Sequence, residues 1–379
     1  MIKILMINYE YPPLGGGGSN ATKYILEQFS KGFDVEIDLV TTSSKNYYYT
    51  QSISSKVKIY FLPIKKKHLH YWKEREIFEF LIKAILFTRK LFRKKKYNLT
   101  HAIFGFPSGF IPFLYRNLPY IISLRGSDVP GFNVRFNLQY IFLKPLFYLI
   151  WKNAVFTTVN SRELKELAGR TLKNKTFEII PNGIDMNEFQ GKTQYREDPN
   201  SVIKVLTVSR LIKRKRIEDL LHSVKILKKF KMDIDLTIIG EGNNEMSLKN
   251  LAKKLNIAKN THFKGYIPHS DLPNYYKEAD VFVLPSLNEG MSNTALEALA
   301  SGLPLILTNV GGSSELITDN GFIVNVRKPK QIADEIRKLY NNPDLNRKMG
   351  VNSRLHARHF DWKNVATKYF KLYKAIMNR

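Results

Sequence analysis

The chain has 379 residues, of which 44% are hydrophobic and 25% charged, a composition typical of a globular protein long enough for two domains. It contains no cysteine, which excludes disulfides, thiolate metal sites and cysteine nucleophiles. Its formal net charge of +27 indicates an anionic partner. Nucleic acid, an anionic membrane surface and phosphorylated small molecules are the alternatives.

The N-terminus runs directly into a strand-like stretch at residues 3–8, without the charged, apolar and small-residue regions of a signal peptide. We therefore expect a cytoplasmic protein. The longest apolar stretches, residues 77–87 and 138–151, are interrupted by charges or proline and are shorter than the ~20 residues that a span needs. No transmembrane helix is expected.

Strand-like and helical stretches alternate along the chain, which predicts an α/β fold with parallel sheets covered by helices. The alternation begins at residues 3–8, 21–31 and 35–41, and it restarts at residues 204–209, 217–230, 235–239, 245–255, 262–264 and 281–285. We expect one doubly wound domain over residues 1–185 and a second over residues 200–361, with a polar hinge at 190–200. A final helix over 362–379 is expected to pack back on the first domain.

Residues 51–100 carry 14 Lys and Arg against 3 Asp and Glu, a local charge of +11. Basic residues flank an apolar, aromatic stretch: Lys65, Lys66, Lys67 and residues 93–96 lie outside it, and Trp72, Phe78, Phe80 and Phe87 within it. This pattern is typical of a helix at an anionic bilayer surface. A solvated basic face over an ordinary buried face remains the alternative.

Three segments contain candidate ligand-binding residues. Gly16 and Gly17 belong to a four-glycine run between the first strand and helix, where bare amides can approach a phosphate or sugar. A flexible turn is the alternative there. Arg210 and Lys215 follow a strand at the carboxyl edge of the second sheet, and offer a planar fork and a point charge for phosphate oxygens. A solvated charge run is the better interpretation for Lys213, Arg214 and Arg216.

The third segment is the strongest, because Glu289 and Glu297 lie eight residues apart around a predicted helix start near Asn293. The free amides at this helix start suit a pyrophosphate. Eight helical residues separate the carboxylates by about 12 Å, too far for the acid and nucleophile of a retaining hydrolase.

Together these segments resemble family 4 retaining glycosyltransferases of GT-B fold, over nearly the whole chain. The resemblance rests on Glu289 and Glu297, on Arg210 and Lys215, on Pro181-Asn182-Gly183-Ile184-Asp185, on Gly265-Tyr266-Ile267-Pro268 and on Gly311-Gly312-x-x-Glu315. It implies two Rossmann-like doubly wound domains that face each other across a cleft. It also implies a nucleotide-sugar donor, and neither a metal nor a cofactor.

The resemblance assigns a role to each matching position. Arg210 and Lys215 would contact the donor diphosphate, Glu289 the transferred sugar, and Glu297 the ribose. The other donor-binding residues that it implies are Gly16, Gly17, Tyr266, Ile267, Gly290, Met291, Ser292 and Asn293. Glu289 and Arg125 are the expected catalytic residues, and His101 and Asp128 are expected on the acceptor side.

This sequence also departs from the family. Arg125 replaces the histidine that many members have before Gly-Ser-Asp, so it either stabilises the departing phosphate or binds an anionic acceptor. His101 stands alone where many members have His-x-His, and a structural role is its alternative. Asp233 and Asp235 resemble a metal-binding DxD, but they precede a strand instead of following one, and we assign no metal to them.

The resemblance implies transfer of a hexose from UDP- or GDP-sugar, with retention, to a saccharide or lipid-linked acceptor in cell-surface polysaccharide synthesis. The expected location is the cytoplasm, at the inner face of the membrane. A sugar-nucleotide epimerase or hydrolase of the same architecture is the first alternative. A basic nucleic-acid-binding protein is the second, but no recognition helix, zinc spacing or RNA-binding signature supports it, so no nucleic acid is expected.

Overall fold

The computed structural model describes residues 1–66, 68–69, 72–115, 117–132 and 137–378, with the backbone only at 137–139 and 141. Lys67, which the sequence places in the basic segment, lies outside the described residues. The chain divides into two compact units: Met1–Asn182 together with Trp362–Arg379, and Gly183–Asp361. Within the described residues, no helix combines the length and the hydropathy needed to cross a bilayer.

The elements of the first half are β1 (Ile2–Ile7), α1 (Gly17–Gly32), β2 (Val35–Ser43), β3 (Tyr49–Ser54), β4 (Val57–Pro63), α2 (Glu74–Lys94), β5 (Leu99–Ile103), α3 (Phe110–Leu114), β6 (Tyr120–Ser123), α4 (Asn137–Asn153), β7 (Phe156–Val159), α5 (Arg162–Gly169) and β8 (Phe177–Ile179).

Those that follow are β9 (Ile203–Val208), α6 (Ile217–Lys229), β10 (Ile234–Ile239), α7 (Glu245–Lys254), β11 (Thr261–Phe263), α8 (Leu272–Glu278), β12 (Val281–Leu284), α9 (Asn293–Ala300), β13 (Leu305–Thr308), α10 (Ser313–Leu316), β14 (Gly321–Val324), α11 (Pro329–Asn341), α12 (Pro343–Ala357) and α13 (Trp362–Met377).

Within its described residues, the first unit has an eight-stranded sheet in the order β3-β4-β2-β1-β5-β6-β7-β8. Neighbouring strands are parallel except β3 and β4, which form an antiparallel pair at the edge. The sequence did not predict this pair; Tyr49 stacks on Phe61 across it at 4.2 Å. Ile4, Leu5, Met6 and Ile7 of β1 are fully buried, as expected for a central strand of a parallel sheet.

Helix α13 belongs to this first unit and packs against α1. The ring of Trp362 stacks on Tyr24 at 5.3 Å, and Tyr373 lies 5.7 Å from Phe29. Buried residues recur along α13 every three or four positions, which gives it one continuous apolar face. The last segment of the chain therefore covers a helix that is formed near its beginning.

The second unit has a six-stranded parallel sheet in the order β11-β10-β9-β12-β13-β14. From β9 the chain adds β10 and β11 on one side, and it then returns to β12 and adds β13 and β14 on the other. The order therefore reverses between β9 and β12. In open parallel sheets, ligands bind beyond the carboxyl ends of the strands at such a switch point.

The segment expected to be a hinge packs on the second unit, which begins at Gly183 and not near residue 200. Lys192 makes an ion pair of 2.8 Å with Asp280, and both side chains are at least nine-tenths buried. Arg196 donates a 3.0 Å hydrogen bond to the carbonyl of Leu339 at the end of α11. These contacts join a segment without secondary-structure periodicity to the sheet and helices of that unit.

Candidate active site

The loops that follow β9 and β12 meet at the switch point of the second sheet. The amide of Leu287, after β12, donates a 2.9 Å hydrogen bond to the carbonyl of Arg214, after β9. Parallel neighbouring strands end at the same edge of a sheet, so the loops that leave them are adjacent. The structure thus brings together the two segments that the sequence analysis singled out separately.

Lys215 and Glu289 form an ion pair within this site. Nζ of Lys215 lies 2.5 Å from Oε1 of Glu289, and the two side chains are only 11% and 14% exposed. Burial acts to raise the pKa of Glu289, but the charge and hydrogen bond of Lys215 outweigh it, and the net pKa is lowered. Glu289 is therefore held as an anion, and Lys215 orients it.

Arg210 lies at the same edge, two residues beyond the end of β9, and its side chain is exposed. Among the described residues it takes part in none of the ion pairs formed around the site. Its guanidinium carries five N–H donors in a rigid fork, the geometry that matches phosphate oxygens.

Helix α9 begins directly beyond the Glu289 loop. Ser292 caps the helix, and its hydroxyl accepts a 3.3 Å hydrogen bond from the amide of Ala295. Gly290, Ser292 and Asn293 are partly exposed at this helix start, where amides suit an anion. The side chain of Met291 is buried in the apolar core, so the donor contact predicted for this residue would be made by its backbone.

Gly311 and Gly312 support the Glu289 loop from the neighbouring strand β13. A β-carbon at Gly311 would lie 2.2 Å from the carbonyl oxygen of Glu289, and Gly311 has a φ of +58°. The amide of Gly312 donates a 2.6 Å hydrogen bond to the carbonyl of Gly290. A glycine is thus required at position 311 for its backbone to lie directly on that of Glu289, and the amide of Gly312 fixes the carbonyl of Gly290.

Glu297 lies one turn inside α9 and is buried. The hydroxyl of Tyr276 donates a 2.8 Å hydrogen bond to its Oε2, and Nε2 of His269 lies 3.2 Å from its Oε1. Nδ1 of the same ring lies 2.9 Å from Oε1 of Glu188. Hydrogen bonding to Glu297 and the charges of both glutamates raise the pKa of His269 above its usual value, although burial opposes them. His269 therefore bridges two carboxylates.

Tyr266 and Ile267 lie in the loop between β11 and α8, which also contains His269. The ring of Tyr266 is exposed, while Ile267 is partly buried against the apolar core. An exposed ring on a loop at the carboxyl edge suits stacking on a base. The sequence predicted a strand at residues 262–264 just before this loop, and the structure has β11 at Thr261–Phe263.

An acidic side chain that the sequence did not indicate, that of Glu10, packs against the glycine run of the first unit. Glu10 is buried, and the amides of Gly16 and Ser19 donate hydrogen bonds to its carboxylate. A β-carbon at Gly15 would lie 2.4 Å from Oε2 of Glu10. Burial raises the pKa of Glu10 to about 7, against the lowering effect of these hydrogen bonds. Gly16 itself has open space where a side chain would be.

This arrangement bears on the phosphate or sugar contact expected at Gly16 and Gly17, which stays a prediction. Gly16 caps α1 and Gly17 begins it, whereas the sequence placed this helix at residues 21–31, and the amide of Gly16 donates to the carboxylate of Glu10. Because this amide is already engaged by Glu10, the loop has fewer free donors for a phosphate, and Glu10 can accept hydrogen bonds from a hydroxyl-bearing group. No short motif identifies such a residue, because Glu10 lies six residues before Gly16, whose amide donates to it.

Asp128 and His101, both expected on the acceptor side, are buried and hydrogen-bonded within this unit. Asp128 is buried, and it accepts hydrogen bonds from the amides of Gly105, Arg125 and Gly126 at 2.6 to 2.9 Å. His101 is fully buried, with Nδ1 2.7 Å from the Tyr373 hydroxyl. Burial lowers the pKa of His101 to about 3, so its ring is neutral. The expected contact of these two residues with the acceptor stays a prediction.

Arg125 lies at the end of β6 and is partly buried. Its guanidinium donates hydrogen bonds to Oδ1 of Asn182 at 2.9 Å and to the hydroxyl of Tyr369 at 3.3 Å. The Pro-Asn-Gly turn and helix α13 therefore fix this arginine from two sides. A fixed guanidinium is suited to recognise an anionic group.

The chain is also similar to known proteins. The sequence profile of the family described as "Glycosyl transferases group 1" matches residues 189–356. An uncharacterized glycosyltransferase from Haemophilus influenzae is 33% identical over 251 residues, which are 58% of this chain and 69% of that protein. The chain belongs to the group 1 glycosyl transferases. A glycosyltransferase from Methanocaldococcus jannaschii is 24% identical over 381 residues and 99% of both chains.

Solved structures show that this glycosyltransferase has the GT-B fold. Sucrose-phosphate synthase from Thermosynechococcus elongatus matches it with a TM-score of 0.83 and 22% identity over the whole of both chains. HepE from Anabaena, solved with UDP and glucose, matches with a TM-score of 0.72 and 15% identity over 99% of this chain and all of that one. The predicted fold class is confirmed.

The DxD-like pair of this glycosyltransferase lies away from the loops after β9 and β12. Asp235 is within β10 and lies 2.7 Å from Nε2 of His262 on β11, and Asp233 precedes the strand. In the part of the chain that the structure describes, no group of three or more His, Asp or Glu side chains is arranged to hold a metal. Both aspartates are at the amino-terminal end of β10.

Proposed function

We propose that this glycosyltransferase moves a hexosyl group from UDP- or GDP-hexose to a saccharide or lipid-linked acceptor, with retention of configuration. We further propose that it acts in cell-surface polysaccharide synthesis, in the cytoplasm at the inner face of the membrane. The observation that carries the proposal is the 2.5 Å contact of Lys215 with Glu289 beside the start of α9.

In this proposal the diphosphate lies at the start of α9, where Arg210, Lys215 and backbone amides stabilise the charge that develops as it leaves. The ammonium of Lys215 has three N–H donors, so it can bind a phosphate oxygen while it orients Glu289. Glu289 then accepts hydrogen bonds from hydroxyls of the transferred sugar. The acceptor oxygen attacks the anomeric carbon on the face from which the diphosphate leaves. The bond from that carbon to the phosphate oxygen breaks and the hydroxyl proton passes to the departing phosphate, so the configuration is retained.

Glu297 is proposed to hold the ribose. Tyr276 and His269 each occupy one of its carboxylate oxygens, and every such oxygen accepts more than one hydrogen bond. The fixed carboxylate thus retains acceptor capacity for the two ribose hydroxyls. Tyr266, exposed on the adjacent loop, is proposed to stack on the base.

The acceptor is proposed to bind the first unit. Glu10, held at the glycine run, would accept hydrogen bonds from sugar hydroxyls, with the open space beside Gly16 leaving room for them. Arg125 is proposed either to bind an anionic group of the acceptor or to stabilise the departing phosphate. The solved complex of HepE with UDP and glucose supports a uridine donor, as a property of a protein with the same fold.

The proposal is tested by screening UDP- and GDP-sugars by thermal shift, since a ligand at 100 times its Kd stabilises a protein by about 2.7 kcal/mol. The donor found is then incubated with acceptor glycans, and the anomeric configuration of the product is read by NMR. Inversion of configuration would contradict the proposal. Free hexose or an epimerised nucleotide as the sole product would instead support the hydrolase or epimerase alternative.

Metal dependence is tested in the same assay with excess EDTA. We expect activity to persist, because Arg210 and Lys215 supply the positive charge that a divalent cation supplies to other glycosyltransferases. A complete loss that manganese or magnesium restores would contradict this assignment, and it would make Asp233 and Asp235 candidate ligands again.

A further inference from the structure

Helix α2 exposes a stripe of large apolar side chains on its outer face. Phe78, Ile82 and Leu86 are 63%, 61% and 62% exposed. Their spacing of four residues places them in one row along the helix. Few residues of this size are so exposed in a folded chain, and three in a row form a continuous apolar surface.

This stripe is separate from the face with which α2 packs on its own unit. Phe80, Leu81, Ala84 and Leu91 are buried in the core of the first unit. A helix at a protein surface normally has one apolar face and one polar face. Helix α2 has a second apolar face, for which packing within the unit gives no reason.

Arginines continue the row at both of its ends. Arg75 lies one turn before Phe78, and Arg89 and Arg93 follow Leu86 at helical spacing; all three are exposed. No ion pair formed among the described residues involves Arg89 or Arg93. The outer face of α2 is therefore apolar in the middle and cationic at both ends, which is the pattern of a helix lying in the interface of an anionic bilayer.

The residues of this face differ from those that composition alone suggested. Phe80 belongs to the core. Lys95 makes an ion pair of 2.7 Å with Asp38, and Lys66 is buried beside Glu76, with its ammonium 3.8 Å from the centre of the Trp72 ring. These two lysines are thus engaged within the protein.

We propose that the outer face of α2 docks on an anionic lipid bilayer. Phe78, Ile82 and Leu86 enter the boundary between headgroups and acyl chains, and Arg75, Arg89 and Arg93 bind lipid phosphates. The inference rests on the proposed function only for the role of this docking. Docking would keep the enzyme at the bilayer that holds a lipid-linked acceptor.

The charge of the protein favours a lipid partner over a second copy of the chain. Each copy carries a net charge of +27, and pairing two α2 faces would bring like-charged arginines together without a counter-charge. An anionic bilayer supplies both the apolar phase and the opposite charge. Binding should accordingly combine a salt-sensitive part from the arginines with a salt-resistant part from the apolar row.

The test is co-sedimentation with vesicles of phosphatidylcholine alone and of phosphatidylcholine mixed with phosphatidylglycerol. We expect much stronger binding to the mixed vesicles than to phosphatidylcholine alone, and a loss on the order of a hundredfold at low salt for Arg75→Gln/Arg89→Gln/Arg93→Gln. Phe78→Ser/Ile82→Ser/Leu86→Ser should lose binding at both low and high salt. Phe230→Ser/Met246→Ser, which removes two exposed apolar side chains from the second unit, is the matched control and should bind as the unaltered chain does.

Insertion is measured separately with Ile82→Trp, whose emission should shift to the blue on mixed vesicles and be quenched by brominated acyl chains. Equal binding to both kinds of vesicle, or equal losses in the control, would overturn the inference. So would a dimer that dissociates in the apolar triple variant, since that would show this face to be an interface between copies. Donor binding and transfer to a water-soluble acceptor should survive in all these variants. If the unaltered chain itself neither binds a donor nor transfers a sugar, the proposed function is refuted instead.

Discussion

Nζ of Lys215 and Oε1 of Glu289, 74 positions apart in the chain, lie 2.5 Å from each other at the switch point of the second sheet. The contact joins the loop after β9 to the loop after β12. Both side chains are mostly buried, so each charge depends on the other for its stability in that position. We therefore expect this pair to affect both the stability of the protein and its proposed activity, and substitutions can separate the two effects.

Lys215→Met should destabilise the protein by about 3 kcal/mol, because it leaves the carboxylate of Glu289 buried without its counter-charge. The double variant Lys215→Met/Glu289→Leu should recover most of this loss while remaining inactive. Denaturant unfolding and transfer kinetics, measured on the same samples, check both parts. A double variant no more stable than the single one would show that the ion pair does not determine stability here.

The two glutamates of the second unit should differ in their kinetic effects. Glu289→Ala should lower kcat more than it weakens donor binding, because its carboxylate is proposed to contact the sugar that reacts. Glu297→Ala should mainly raise the KM for the donor, through lost ribose hydrogen bonds. Glu278→Ala, an exposed carboxylate at the end of α8, is the control. Equal and small effects of both substitutions on kcat/KM would contradict a shared site.

Gly311→Ala tests whether the backbone contact beneath the Glu289 loop is required. Its β-carbon would lie 2.2 Å from the carbonyl oxygen of Glu289 and 2.4 Å from that of Gly290, at a positive φ. We expect a loss of a few kcal/mol in stability and at least tenfold weaker donor binding, read by calorimetry. Gly169→Ala, where no atom lies within 4 Å of the added carbon, should change neither.

The sequence predicted the second unit more completely than the first. Its strands and helices alternate with clear periodicity, and Arg210, Lys215, Glu289 and Glu297 lie at strand and helix ends, where position along the chain determines position in the fold. The β3 and β4 pair was missed because an antiparallel edge pair interrupts the expected alternation. The hinge was misplaced because the ion pair of Lys192 with Asp280 attaches residues 190–200 to the second unit. The two residues are 88 positions apart, so the local sequence does not reveal the contact.

Residues that act through tertiary contacts had no local signal. Glu10 reaches the glycine run because the chain folds back over it, and Tyr276 reaches Glu297 from a different helix. His101 and Asp128 have motif positions typical of ligand contacts, and their burial and hydrogen bonding could not be predicted from those positions. A motif specifies which residue types are present, whereas only packing specifies which side chains remain accessible.

Donor affinity should fall as the pH rises through the raised pKa of His269. Its protonated ring donates to Glu188 and Glu297, with Tyr276 on the other side of Glu297, and this benefit is complete below the unperturbed value near 6.5. Above the raised pKa one ring nitrogen loses its proton, and one hydrogen bond, worth about 1 kcal/mol or about fivefold in Kd, is lost.

Calorimetry with the nucleotide sugar, from below pH 6.5 to above the raised pKa of His269, should show donor affinity falling in the unaltered chain. In His269→Gln the affinity should not change with pH. His262→Gln is the control, because that histidine also pairs with a carboxylate, Asp235, at the opposite end of the strands. If His269→Gln keeps the decline, the titrating group lies elsewhere.

Glu10→Gln should make the stability of the first unit less dependent on pH. Burial raises the pKa of Glu10 from 4.5 to about 7, so the folded state favours the protonated form. A raised carboxyl pKa contributes stability that is complete below 4.5 and is lost as the pH rises through about 7. The difference of about 2.5 pKa units corresponds to about 3 kcal/mol at most.

The glutamine variant has no proton to lose, so its stability relative to the unaltered chain should increase between pH 5 and pH 8. Denaturant unfolding at the two pH values measures this difference. Glu27→Gln, a partly exposed carboxylate on α1, should show no comparable change. If Glu10 also accepts hydroxyls of the acceptor, Glu10→Gln should raise the KM for the acceptor without altering donor binding. A variant whose stability difference is the same at both pH values would show that Glu10 is ionised in the folded protein throughout.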